Sequence, residues 1–77
     1  MITVRYFAAA EEAAGTAEER REETTLDVLR LAVVAEHPAL GSILPRCAVL
    51  VDGARHDADA PLGDATFVDV LPPFAGG

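Results

Sequence analysis

The sequence closes on Leu71-Pro72-Pro73-Phe74-Ala75-Gly76-Gly77, and this run is where its residue types point most directly to chemistry. Gly76 and Gly77 have no side chains, so they can pass through a narrow channel and adopt conformations closed to other residues. Pro72 and Pro73 favour an extended exit, directed away from whatever structure precedes them. From Pro72 to Gly77 an extended chain reaches about 20 Å, at roughly 3.3–3.6 Å per residue. No charged side chain lies between Pro72 and the terminal carboxylate. A free carboxylate is a poor electrophile. Attack of its oxygen on the α-phosphate of ATP would make it an acyl-adenylate, and a sulfur donor could then turn it into a thiocarboxylate. The plainer account of a Gly-Gly ending is a frayed terminus, since termini are commonly disordered. Fraying explains flexibility but not a tail this short placed directly behind a strand-like run and two prolines.

The rest of the chemical inventory is thin. Cys47 is the only cysteine, so an intramolecular disulfide, a four-cysteine zinc site and a four-cysteine iron–sulfur cluster are excluded for this chain alone. It opens an apolar run and reads as a small hydrophobe. His37 and His56 belong to no metal-spaced group, and no metal ligand is expected. His37 reads as a helix C-terminal residue and His56 as a hairpin residue. Ser42 has no spacing to His and Asp that suggests a triad. The glutamate runs at 11–12 and 18–23 read as solvated surface.

Charge narrows the partners. The formal net charge is −7, with six basic residues, all of them arginine. Nucleic-acid binding rests on cationic contacts to phosphate and is disfavoured. Attraction to an anionic membrane is disfavoured for the same reason. A partner with a positive surface suits the chain better. Glu11 and Glu12 interrupt the short apolar opening, no basic n-region precedes it, and no run has the length of a membrane span. The lone thiol suits a reducing compartment. A cytoplasmic, soluble protein is expected.

Seventy-seven residues allow one domain and one core. With few aromatics, that core must rest on Val, Leu, Ile and Ala. Ile2 to Phe7 reads as a strand with Ile2, Val4 and Tyr6 on one face and Thr3, Arg5 and Phe7 on the other. Ala8 to Ala14 reads as a two-turn helix stopped by Gly15. Ala17 to Glu23 has no apolar face of either period and is expected as an edge strand or an exposed loop. Thr25 to His37 is the clearest helix, capped by Thr25 and ended by Pro38, with Asp27 and His37 matching its dipole. Its Leu26, Val28, Leu29, Ala32, Val33 and Ala35 are expected to lie against a sheet. An irregular or 3₁₀ passage over 40–44 leads to a buried strand at 47–51. Asp52-Gly53 is a hairpin turn, followed by a short return over 54–57, a loop, and a last strand at 66–71. Pro72-Pro73 ends its pairing. One apolar helix on one face of a small mixed sheet is an α+β arrangement, with the first and last strands adjacent, parallel and central. Residues 72–77 are expected to form a flexible tail on this single domain.

These residues together resemble a family. Gly63-Asp64, then Thr66-Phe67-Val68-Asp69-Val70-Leu71 and the Pro-Pro-x-x-Gly-Gly ending, are similar to the C-terminal signature of the MoaD/ThiS sulfur-carrier proteins. The ending looks most like that of the small subunit of molybdopterin synthase. Ile2 to Ala8 resembles the family's first strand, and Thr25 to Leu29 the start of its main helix. Two departures are visible: Phe74 is bulkier than the small aliphatic residue expected there, and lysine is absent.

The resemblance implies a ubiquitin-like β-grasp fold and a protein cosubstrate rather than an enzyme. An E1-like adenylating enzyme would use ATP to activate Gly77, which would then become the thiocarboxylate. No cofactor would be bound by the chain itself. In the molybdopterin branch the tail enters the large synthase subunit, with Gly77 bearing the sulfur, Gly76 passing the channel, and Ala75 and Phe74 lining its entrance. Sulfur transfer for thiamin, cysteine or another metabolite is open, as is a ubiquitin-like modifier joined to lysines or a plain interaction module. A docking patch of Phe7, Leu71 and Phe74 near the tail root is a further expectation, set against a core role for Phe7 and Leu71.

Overall fold

The computed structural model describes residues 1–73. The elements are β1 (Ile2–Tyr6), α1 (Ala9–Ala14), β2 (Glu18–Arg21), α2 (Leu26–Glu36), β3 (Ala48–Val51), β4 (Ala54–Arg55) and β5 (Phe67–Leu71). Two 3₁₀ turns, Pro38–Ser42 and Leu44–Arg46, link α2 to β3. The sheet order is β2-β1-β5-β3-β4. β1 and β5 are parallel neighbours in register Val4↔Val68, and the other three pairings are antiparallel. This is the mixed sheet with one main helix expected of a β-grasp domain.

Strand alternation builds the core. Ile2, Val4 and Tyr6 of β1 and Val68 and Val70 of β5 are buried, as is Val49 of β3. α2 adds Leu26, Leu29 and Val33, which recur at helical spacing and close over that face of the sheet. Leu40, Leu44, Ala60 and Leu62 seal its margins.

The local signals act as read at most places. The Thr25 hydroxyl caps α2 by accepting from the Val28 N–H at 3.4 Å. Gly15 ends α1 at φ 75°, a left-handed conformation that glycine adopts without a Cβ penalty. Asp52 (φ 47°) and Gly53 (φ 86°) form the tight turn between β3 and β4.

The structure corrects three expectations. Phe7 is not in the first strand and is 40% exposed, because the chain turns at Ala8 to start α1. The Phe7 carbonyl accepts from the Ala10 N–H at 3.0 Å, which forces Ala8 to φ 50°. In α2, Val28 is 51% exposed, and Ala35 also faces solvent, so the buried stripe is narrower than its composition implies. The return strand after Asp52-Gly53 is only two residues, although the His56 N–H still reaches the Val49 carbonyl at 3.0 Å. The ambiguous 17–23 segment resolves as the edge strand β2.

Candidate functional site

β5 delivers the chain to the candidate site. Its start is fixed by Asp52, whose Oδ1 accepts from the Phe67 N–H at 2.8 Å and whose carboxylate also accepts from the Thr66 N–H at 3.1 Å. Its end lies between two strands: Leu71 stands opposite Ala48 of β3, and the Phe7 N–H donates to the Val70 carbonyl at 3.1 Å. Phe7 and Leu71 are thus brought to the same end of the sheet, Phe7 exposed and Leu71 half-buried. Pro72 is buried and Pro73 exposed, so the chain leaves the core between the two prolines rather than ahead of them. The expected roles of Phe74, Ala75, Gly76 and Gly77 fall outside the described residues, as does most of the expected tail.

The face of β1 and β5 turned away from α2 carries Arg5, Phe67, Asp69 and Leu71 by strand alternation. Arg5 makes a two-point contact with Asp69, Nε to Oδ1 at 2.6 Å and Nη2 to Oδ2 at 3.0 Å. Its guanidinium stacks over the Phe67 ring, 3.8 Å from the centroid. The hydrogen bond to Asp69 pushes the Arg5 pKa further up, so this charge is permanent. Next to the tail root the open face is therefore a fixed ion pair flanked by apolar side chains.

A second polar constellation escaped the sequence reading. Glu19 accepts from the Tyr6 hydroxyl at 2.9 Å and from Arg21 Nη1 at 2.9 Å, and its Oε2 lies 2.6 Å from His37 Nε2. Arg21 also binds Glu23 through two nitrogens, at 2.8 and 3.0 Å, and donates to Glu36. Burial acts to raise the Glu19 carboxyl pKa, but the hydrogen bonds from Arg21, Tyr6 and His37 outweigh it and hold the group below the usual range. Burial, reinforced by the Glu19 carboxylate, drives the Tyr6 phenol far up, so it stays a donor. Glu19, Glu36 and His37 are close enough to share a cation. Arg21 already bridges Glu19 and Glu36 with its own positive charge, which makes the cluster a joint between β2 and the end of α2. The available signal was the spacing Glu19, Arg21, Glu23, which puts Glu19 and Arg21 on one face of β2 with Glu23 just beyond its end.

Residues 4–77 match the ThiS family, and the match runs through Gly76-Gly77. The chain belongs to the ThiS family. Solved structures with this ThiS-family fold include the small archaeal modifier protein SAMP1 from Haloferax volcanii, with 27% identity, coverage of 99% of this chain and 98% of that one, and a TM-score of 0.75. SAMP1 from Methanosarcina acetivorans has 22% identity, coverage of 99% and 95%, and a TM-score of 0.75. A putative molybdopterin converting factor, subunit 1, from Pyrococcus furiosus has 19% identity, coverage of 95% and 97%, and a TM-score of 0.74. No curated protein sequence matches the chain. The chain is thus a ubiquitin-like protein of the sulfur-carrier or modifier kind.

Within this ThiS-family domain the remaining candidates are engaged by other contacts or lie exposed. The Cys47 thiol donates to the Ile43 carbonyl at 3.2 Å, and burial pushes its pKa up, away from a reactive thiolate. The His56 carbonyl accepts from Arg30 at 3.0 Å. Ser42 sits exposed at the end of a 3₁₀ turn. Among the described residues no helix is long and apolar enough to cross a membrane.

Proposed function

We propose that the chain is a cytoplasmic sulfur carrier that works through the carboxyl of Gly77, as a protein cosubstrate in molybdopterin biosynthesis. The family match extending through Gly76-Gly77 carries the reading. The geometry of the described residues supports it: the last strand is held on both sides, and the chain quits the core only at Pro73. The Pro-Pro-x-x-Gly-Gly ending favours the molybdopterin branch.

The chemistry runs in two steps on an E1-like enzyme. A Gly77 carboxylate oxygen bonds to the α-phosphorus of ATP and pyrophosphate leaves. Hydrosulfide, as the sulfur donor, then bonds to the carbonyl carbon, AMP leaves with the bonding electron pair, and loss of the S–H proton gives the thiocarboxylate. ATP belongs to the activating enzyme, and the carrier itself binds no cofactor. In the large synthase subunit or another sulfur-accepting enzyme, Gly76 passes the channel while Ala75 and Phe74 occupy its mouth. Phe7 and Leu71, at the end of the sheet where the tail departs, form the docking patch with Phe74.

The test is intact-mass analysis after incubation with an E1-like enzyme, ATP and a sulfur donor. The mass should rise by the difference between one sulfur and one oxygen, in the C-terminal peptide. Removal of Gly77, or one residue added after it, should abolish the gain, because the reacting carbonyl would no longer align. Phe7→Asp should weaken capture by the partner without unfolding the domain. A modifier reading has its own support in the 27% identity to the Haloferax volcanii modifier protein. Isopeptide bonds to target lysines with no sulfur on Gly77 would replace the carrier reading with that one.

A further inference from the structure

Between α2, the 3₁₀ turns and the β3–β4 edge lies a groove of about 520 Å³. Its apolar lining includes Val34, Leu44, Val49 and Cys47, and Leu31, 74% exposed, stands at its margin. Three arginines, Arg30, Arg46 and Arg55, border it together with His56, against a single carboxylate, Asp57. The whole chain has six basic residues and thirteen acidic ones. Half of the cations therefore surround one groove that takes one of the thirteen carboxylates. The rest of the surface is correspondingly acidic.

Among the described residues these arginines differ in how far they are paired. Arg30 is held in place by Asp27 and the carbonyls of His56 and Ala58. Arg55 meets Asp57 through Nε alone, in an exposed pair of the kind that contributes little. Among the described residues Arg46 pairs with no carboxylate. An apolar groove bordered by the unpaired Arg46 and the weakly paired Arg55 suits an anion with an apolar anchor.

We propose that this groove docks a short acidic segment of a partner protein, with one apolar side chain on Leu31 and Val34 and flanking carboxylates on Arg46 and Arg55. The volume suits a segment of a few residues. Charge selects among occupants. A nucleic acid or a lipid surface is a broad polyanion and would also meet the acidic remainder of the chain, whereas a short segment meets only the groove. Two copies of a chain of net charge −7 repel each other before they can engage. The site does not depend on what happens at Gly77.

The full chain can be used to select binders from a displayed library of random peptides, and the selected peptides titrated into the isotope-labelled protein by NMR. The expected peptides carry Asp or Glu around a Leu, Ile or Phe. Their shifts should centre on Leu31, Val34, Arg46, Cys47 and Arg55, and binding should weaken as salt is raised. Arg46→Glu with Arg55→Glu should reduce affinity at least tenfold while thermal unfolding stays unchanged. If that pair perturbs the fold, Arg46→Gln alone should still weaken binding severalfold. The proposal fails if no peptide is selected, if the peptides are neutral or basic, if the shifts lie elsewhere, or if charge reversal leaves affinity intact. It also fails if the groove resonances move with protein concentration alone, which would assign the groove to a second copy. Equal shifts from free N-acetyl-glutamate would assign it to small anions and overturn the peptide reading.

Discussion

Arg21→Met tests the joint between β2 and α2. The Arg21 side chain is 14% exposed, and the Glu19 and Glu23 side chains are 17% and 20% exposed. Glu36 is 58% exposed, so its share is small. Breaking a fully buried ion pair by removing one partner costs about 3–5 kcal/mol, and breaking an exposed one about 0–1 kcal/mol. Two partly screened pairs, with Glu19 still held by Tyr6 and His37, place the loss near about 2 kcal/mol at neutral pH. Methionine retains the apolar stem, so the change isolates charge and hydrogen bonding. In a domain of this size the thermal midpoint should fall by about 8–16 °C. In urea, with a slope of about 1 kcal/mol per molar, the midpoint should fall by about 2 M. The pH dependence gives an internal control. Arg21 lowers the Glu23 carboxyl pKa against burial, and the Glu19 carboxyl is also held low. Carboxylates depressed in the folded state stabilise it above their unfolded pKa of about 4.3, and this contribution disappears as pH falls through the folded value. The gap between the two proteins should therefore be full at pH 7 and shrink steadily below about pH 4. Circular dichroism during urea unfolding at both pH values measures it. A loss under about 0.5 kcal/mol at pH 7, or the same loss at acid and neutral pH, would refute an electrostatic joint.

Three other outcomes follow from single residues. Ala8 holds φ 50°, ψ −125°, so Ala8→Gly should relieve strain and raise stability by about 1 kcal/mol in urea unfolding, despite the greater unfolded-state freedom of glycine. Leu29, 2% exposed under the centre of α2, should cost about 3 kcal/mol when cut to alanine, read as a lower thermal midpoint. The burial-raised Cys47 thiol should react with iodoacetamide at pH 8 far more slowly in the folded chain than in urea, and Cys47→Ser should leave any mass gain at Gly77 intact.

Much of this architecture could be read where one physical rule governed a segment. Period-two burial exposed β1 and β5, and capping residues marked both ends of α2. The rule failed where two requirements competed. Phe7 continues the strand pattern and its N–H still reaches the Val70 carbonyl, yet the Ala8 turn ends β1 at Tyr6. Val28 is as apolar as Val33, but only the residues spaced with Leu26 and Leu29 reach the sheet. The 17–23 segment looked patternless because its alternation is between charges rather than between apolar and polar residues. Its partners, Glu36 and His37, are far away in sequence, so no local reading could have paired them. Phe7 and Leu71 meet at one end of the sheet because β1 and β5 are parallel neighbours in the register Tyr6↔Val70. The burial of Pro72 was hidden, since proline after a strand signals only the end of pairing.

The central place of β5 has a mechanical consequence. A grip on the chain beyond Pro73 can be set to pull along the axis of this strand. The hydrogen bonds that hold β5 to β1 on one side and β3 on the other lie across that axis. Tension therefore loads both ladders in shear, many rungs at once, whereas an edge strand dragged sideways would unzip one rung at a time. A handle mounted this way transmits force to the whole sheet. A machine drawing the terminus into a deep channel can pull against a taut domain instead of unravelling it.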